Sequence, residues 1–404
     1  YYTANNSGPW MLRPDQSAPE DAVCAGACTG TLEVIKDAAS GAVIEVHQRF
    51  GSWVAQAARV VDGMLEVEWT IGPVPVMSDG HSKEVFSRFS SDVTSEDRWL
   101  TDSNGWETTS RRRNHRDSFT LNLTEPIAAN VVGVNAFASI DDARSRGKQS
   151  APRRSLTVCN DRSQGGTSLR AGELDLFVHR RLLGFDYPGG GMGPNGEPLN
   201  ETRSFTWEGD TTHWRRDGPG IVVRGVHRVG LSGVETAARM RREAHERLFR
   251  RPLVAFATPN AGVRLPQTPP TGLLRPLPIN VALLSLERLE SADAVLLRLV
   301  HKYAIGEDAE RSRNATVSLH GLFAAFEVLD ATELSLFANA RKADVHRLVW
   351  RTREHTSIDD AAAPGEVEAV PEPVAPPAFD VLLTPLKVRT FRLKVAARAS
   401  SLIV

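Results

Sequence analysis

Apolar and polar residues alternate along much of the first half of the chain with the period of two that marks a half-buried strand. Leu65, Val67, Trp69 and Ile71 alternate with Glu66, Glu68 and Thr70, which gives one apolar face and one wet face. The Asp62-Gly63 step just before them suits a two-residue hairpin turn, and pairs this segment with the run 53–61. The same pattern recurs over 43–50, 173–178 and 221–231, and 295–301, 316–319 and 386–393 read as strands in the last third. One segment has a helical period. Ala237, Arg241, Ala244 and Leu248 fall on one side of a helix that Ser232 caps and Pro252 closes, and its other face, dense in Arg and Glu, reads as solvated.

These elements predict an all-β fold. A large antiparallel β supersandwich is expected over 1–231, an interrupting helix and Pro-rich connector over 232–278, and a smaller C-terminal β-sandwich over 279–404. Pro266, Pro269, Pro270, Pro276 and Pro278 mark the connector. A second Pro-rich stretch, 364–377, reads as a long surface loop, and the basic stretch 143–155 as a mobile one.

With 48 basic and 49 acidic residues among 404, the formal net charge is −1, so nothing in the balance calls for nucleic acid or an anionic membrane. The apolar runs fall far short of the roughly 20 residues of a membrane span. N-glycosylation sequons begin at Asn5, Asn122, Asn200 and Asn314, each in or beside a turn-like segment, and together they suggest a secretory route. Cys24 and Cys28 lie four apart in a Gly/Ala loop. A small disulfide is the preferred reading, ahead of idle thiols and of a zinc site, which lacks further Cys or His nearby; Cys159 is left unpaired.

Motifs that carry chemistry are few. His115-Arg116-Asp117 has a spacing that puts both side chains on one side of a strand, but no second His-x-Asp accompanies it, so it is read as structural. Residues 189–193 are Gly-rich but lack the Lys-Ser/Thr of a phosphate loop, and no Gly-x-Ser-x-Gly elbow is present. The stretch 161–186, DRSQGGTSLRAGELDLFVHRRLLGFD, sets a polar loop, an alternating strand and a doubly cationic loop in succession, an order that can deliver side chains to a sugar.

That stretch, with EVHQRFGSWVAQAARV at 45–60, LEVEWTIGPVPV at 65–76, KEVFSRF at 83–89, the block 101–130 and LLRLVHKYAIGED at 296–308, resembles the C-terminal half of glycoside hydrolase family 38, the zinc-dependent α-mannosidases. The resemblance implies a retaining glycosidase that releases terminal α-mannose from N-glycan-type oligosaccharides. It further implies that an upstream barrel chain supplies the aspartate nucleophile and the zinc ligands, with no catalytic or metal residue here. The two carboxyl groups of such an enzyme stand about 5–5.5 Å apart. Proteolytic processing of the family's lysosomal members accords with a chain that opens on Tyr1-Tyr2. Gly8-Pro9-Trp10 matches a Gly-Ala-Tyr step of the family, so Trp10 stands where a tyrosine approaches the sugar. Arg180, Arg181 and Asp186 are the other expected substrate contacts, Arg180 and Arg181 pointing to opposite sides, and Asp161 and Arg162 are expected to order their loop by internal ion pairing. A lysosomal or secreted location follows, with the barrel chain as partner and a homo-oligomer left open. The rival readings are a non-catalytic carbohydrate-binding β-sandwich and a purely structural interaction domain.

Overall fold

The Asp62-Gly63 step forms the expected turn, both residues holding positive φ (53° and 77°), and joins two eight-residue strands in antiparallel register from Val61↔Met64 to Val54↔Ile71. This hairpin belongs to a computed structural model of the chain that describes residues 1–3, 12–15, 19, 30–75, 81–143, 152–181, 205–208, 211–214, 220–250, 253–254, 256, 272–290, 293–345 and 379–398. The chain divides into two units, Tyr1–Pro252 and Leu253–Val404.

In chain order the strands of the first unit are β1 (Tyr2–Thr3), β2 (Thr31–Lys36), β3 (Val43–Phe50), β4 (Val54–Val61), β5 (Met64–Ile71), β6 (Lys83–Ser90), β7 (Arg98–Asp102) and β8 (Thr108–Arg112). They continue with β9 (Val132–Val134), β10 (Phe137–Asp141), β11 (Arg154–Asn160), β12 (Gln164–Thr167), β13 (Glu173–Arg181), β14 (Phe205–Glu208), β15 (Thr211–Trp214) and β16 (Val223–Gly233), followed by helix α1 (Val234–Phe249). A nine-stranded sheet runs β2-β3-β4-β5-β16-β11-β10-β7-β8, and a five-stranded sheet runs β1-β6-β13-β12-β9. The two pack face to face through Trp99, Ala138, Ile140, Leu156 and Val158 of the larger sheet against Val134, Leu174 and Leu176 of the smaller.

The opposite face of the larger sheet carries α1. Met64, Phe137, Cys159 and Val226 meet Ala244 and Leu248 there, and Ala237 and Arg241 are also buried, as the helical spacing predicted. Gly230 permits the close approach, since a Cβ there would lie 2.4 Å from the Met240 sulfur. Three expectations for this region change. Ser232 does not cap the helix: it is held extended in β16 opposite Ser155, its hydroxyl donates to the Gly233 carbonyl, and Gly233 takes the cap position with no side-chain bond. The charged face is not simply solvated, because Arg242 is 2% exposed and its guanidinium lies 5.8 Å from the Trp106 ring centroid. The helix belongs to the first unit, whereas the sequence suggested a connector. The basic stretch, for its part, ends earlier than 155: Arg154 opens β11 and pairs with Asp92 and Asp142 at 2.7 and 3.1 Å.

The second unit contains β17 (Val281–Arg288), β18 (Ala294–His301), β19 (Ala315–Ser318), β20 (Phe326–Leu334), β21 (Asp380–Leu383) and β22 (Val388–Ala397). They form a four-stranded sheet, β17-β18-β22-β20, and a two-stranded one, β19-β21. Leu297, Leu299, Leu319, Phe323, Leu383 and Leu393 share its core. The strand pairing among the described residues is thus antiparallel throughout, with α1 as their one α-helix. The proline stretch 364–377 lies outside the described residues.

Candidate functional site

The end of β13 is where the sequence places its cationic pair, and the structure sets a second charged pair opposite it. Arg180 faces Glu84 and Arg181 faces Lys83 across the β13–β6 ladder, while Tyr2 and Thr3 of β1 pair with Glu84 and Lys83 from the other side. A register shift between Phe177 and His179 precedes the pair. His179 fixes this bulge: its Nδ1 accepts from the Arg180 N–H at 2.9 Å and its Nε2 donates to the Ile221 carbonyl at 3.1 Å. Burial depresses the imidazole pKa, which keeps that tautomer neutral.

Arg180 and Arg181 then take different partners, as neighbouring positions on a strand do. The Arg180 guanidinium reaches Glu84 at 2.5 Å, and its side chain stays 31% exposed. Glu84 is itself buried, 3% exposed, and burial pushes its carboxyl up to about 7 although the Arg180 charge and hydrogen bond pull it down. Arg181 is buried and donates to the Val74 carbonyl at 2.8 Å. Gly220 passes so close that a Cβ there would meet the guanidinium at 2.7 Å. The buried Lys83 ammonium donates to the next carbonyl, that of Pro75, at 2.7 Å, and lies 5.4 Å from the Tyr1 ring centroid. Three cations and one carboxyl therefore gather where β13 ends, and two of the cations hold the backbone at 74–75.

The turn at 161–163 and the start of β12 form a separate polar knot. Asp161 and Arg162 make a two-point ion pair at 3.1 and 3.2 Å, and the guanidinium lies 5.5 Å from the Trp69 ring centroid. Asn160 donates to the Val134 carbonyl at 3.0 Å and to that of Arg162 at 2.5 Å, and Gln164 accepts from His227 at 2.9 Å. His227, wholly buried between Trp69 and Phe89, has its pKa lowered to about 4 by burial. Neither Glu84 nor His227 stands out in the sequence. The one available signal was charge complementarity between Lys83-Glu84 and Arg180-Arg181, visible only once the two strands are paired.

Trp10, Asp186, Asn5, Asn200, Cys24 and Cys28 lie outside the described residues. Asn122 and Asn314 are exposed, and Cys159 is a buried free thiol. His115 and Asp117 pair with each other at 3.0 Å on the surface, and among the described residues no group of three or more His, Cys, Asp or Glu is placed to hold a metal ion.

Comparison with known proteins adds a family to this geometry. Residues 1–187 match the profile described as glycosyl hydrolases family 38 C-terminal domain. Lysosomal alpha-mannosidase of Bos taurus is 39% identical over 402 residues, covering 96% of this chain and 35% of that protein. Its Homo sapiens counterpart is 36% identical over 394 residues (95% and 34%), and the alpha-mannosidase of Canavalia ensiformis 32% over 398 (96% and 37%). Residues 1–187 thus carry the C-terminal domain of glycoside hydrolase family 38, and the chain as a whole spans about a third of the length of these relatives.

Proposed function

We propose that this chain is the C-terminal β portion of a zinc-dependent, retaining α-mannosidase that removes terminal α-mannose from N-glycan-type oligosaccharides. The observation that carries the reading is similarity over 96% of the chain to a lysosomal alpha-mannosidase nearly three times as long. The nucleophile and zinc ligands belong, on this reading, to the upstream part of the enzyme. The described residues do not fit a zinc site: the His115–Asp117 pair has no third donor, and no step is assigned to a metal in this chain.

What the chain contributes is wall and support. Arg181 and Lys83, tied to the 74–75 carbonyls, would fix the base from which the chain continues beyond β13. Arg180, oriented by Glu84 yet partly exposed, would hydrogen-bond a sugar hydroxyl or a carboxylate of the upstream part. Trp10 and Asp186 join it as proposed substrate contacts. Asp161 and Arg162 act on their loop through their mutual ion pair. A lysosomal or secreted location agrees with the names of the animal relatives and with the four sequons, which are proposed glycan sites, as Cys24 and Cys28 are a proposed disulfide.

The test is co-expression with the upstream portion. Hydrolysis of 4-nitrophenyl α-mannoside is expected only in the assembled enzyme, is lost on zinc chelation, and shows a raised KM or weakened assembly when Arg180 and Arg181 are both changed to Ala. Unaltered KM and assembly in that variant would remove both residues from the site. A chain that binds glycans but joins no barrel-bearing partner would favour a non-catalytic carbohydrate-binding module.

A further inference from the structure

A cleft of about 440 Å³ opens beside β7 and β10, far enough along the sheet to share no residue with the β13 end or the polar knot at 160–164. The pairing of β10 with β7 is short, covering Ala138↔Thr101 and Ser139↔Leu100. Carried two residues further, the same register sets Asp141 opposite Arg98, where the cleft lies; Glu96, Ser110 and Arg153 also line it. Its size falls within the range of small-molecule sites, about 300–1,000 Å³.

The charges around it select the ligand. Asp142, also in the lining, is already occupied: it accepts from the Thr94 N–H and hydroxyl at 2.8 and 3.0 Å and from the Arg154 N–H and Nε at 2.8 and 3.1 Å. Glu96 and Asp141 then balance Arg98 and Arg153, so neither an anion nor a cation is favoured. Asp141 Oδ1 is buried without any hydrogen-bond partner, so turning that oxygen toward a ligand would break no bond. What fits is an uncharged molecule able to donate to a carboxylate and accept from a guanidinium at adjacent points. Neighbouring sugar hydroxyls do both.

We propose that this cleft is a separate carbohydrate site, binding a neutral saccharide through adjacent hydroxyls held between Asp141 and Arg98. It is independent of the mannosidase reading, because binding is measured on the 404-residue chain without hydrolysis. Calorimetric and saturation-transfer titrations with α-1,2-mannobiose and with maltose are expected to show binding on the order of millimolar. Arg98→Ala and Asp141→Ala should each weaken it about tenfold, the scale of one hydrogen bond to a charged group. Near-UV circular dichroism identifies a variant that has lost its fold, and Arg98, being exposed, provides the variant least coupled to folding. Failure of both disaccharides to bind the wild-type chain, or wild-type affinity in folded Arg98→Ala, would overturn the assignment.

Discussion

Glu84→Gln isolates the buried charge at the end of β13. The Glu84 carboxyl rises from 4.5 to about 7 on folding, with desolvation as the main cause, and the group is only 3% exposed. At 1.36 kcal/mol per pKa unit, this makes a linked contribution of about 3 kcal/mol. Because the folded value is the higher one, the folded state holds the proton more tightly. The contribution is fully present below pH 4.5, shrinks as pH rises through 7, and is gone above it. Wild-type chain should therefore lose about 3 kcal/mol from this group between pH 4.5 and pH 8, and the Gln variant, which cannot ionise, should not. His179, His227 and His245 have lowered values and lose stability in the opposite direction, as pH falls below about 6.5, but they do so in both proteins and cancel in the comparison. Urea unfolding followed by tryptophan fluorescence reads the first unit, whose Trp53, Trp69 and Trp99 are buried. The stability of Glu84→Gln relative to wild type should rise by about 3 kcal/mol from pH 4.5 to pH 8. A difference that stays flat, or that falls, would refute the assignment of a buried, high-pKa carboxyl.

Two further outcomes test the interior. His227 should remain neutral, with its proton on Nε2, down to roughly pH 5, which nitrogen-15 shifts of the ring would report; a midpoint near 6.5 would mean that the imidazole is not buried against Gln164 as described. Asp102→Ala should cost on the order of 3 kcal/mol, because its wholly buried carboxylate accepts from the backbone N–H groups of Gly105, Asn135 and Ala136 at 2.7–2.9 Å, and a loss under about 1 kcal/mol in denaturant titration would show that those groups find other partners.

The strands were legible because their signal is local. Leu65 to Ile71 alternate in sequence, the Asp62-Gly63 turn needs only its own two residues, and together they specify the β4–β5 hairpin before any tertiary contact is known. Sheet order is a different matter. β5 pairs with β16, more than 150 residues downstream, and β6 with β13, and no pattern within either strand names the partner. The misread helix cap has the same origin. Ser232 is a good capping residue by type, but pairing with Ser155 holds it in the ladder, so a long-range contact overrides a local preference.

The site follows that division. Arg180 and Arg181 were singled out because consecutive cations at a strand end are conspicuous in one dimension. Glu84 was not, since a Lys-Glu pair opening a strand ordinarily reads as solvated surface, and only the β6–β13 register buries it against Arg180. His227 was missed for a related reason: one histidine in an alternating strand carries no mark of burial, and its environment is assembled from Trp69 of β5, Phe89 of β6 and Gln164 of β12. Gly225 records the same packing from the other side, for a Cβ there would lie 2.2 Å from the Trp69 ring. Glu84 and His227, whose protonation folding alters, are thus residues that topology selects. A sequence reading of a β protein will locate its exposed cations more readily than the buried carboxyl that positions them.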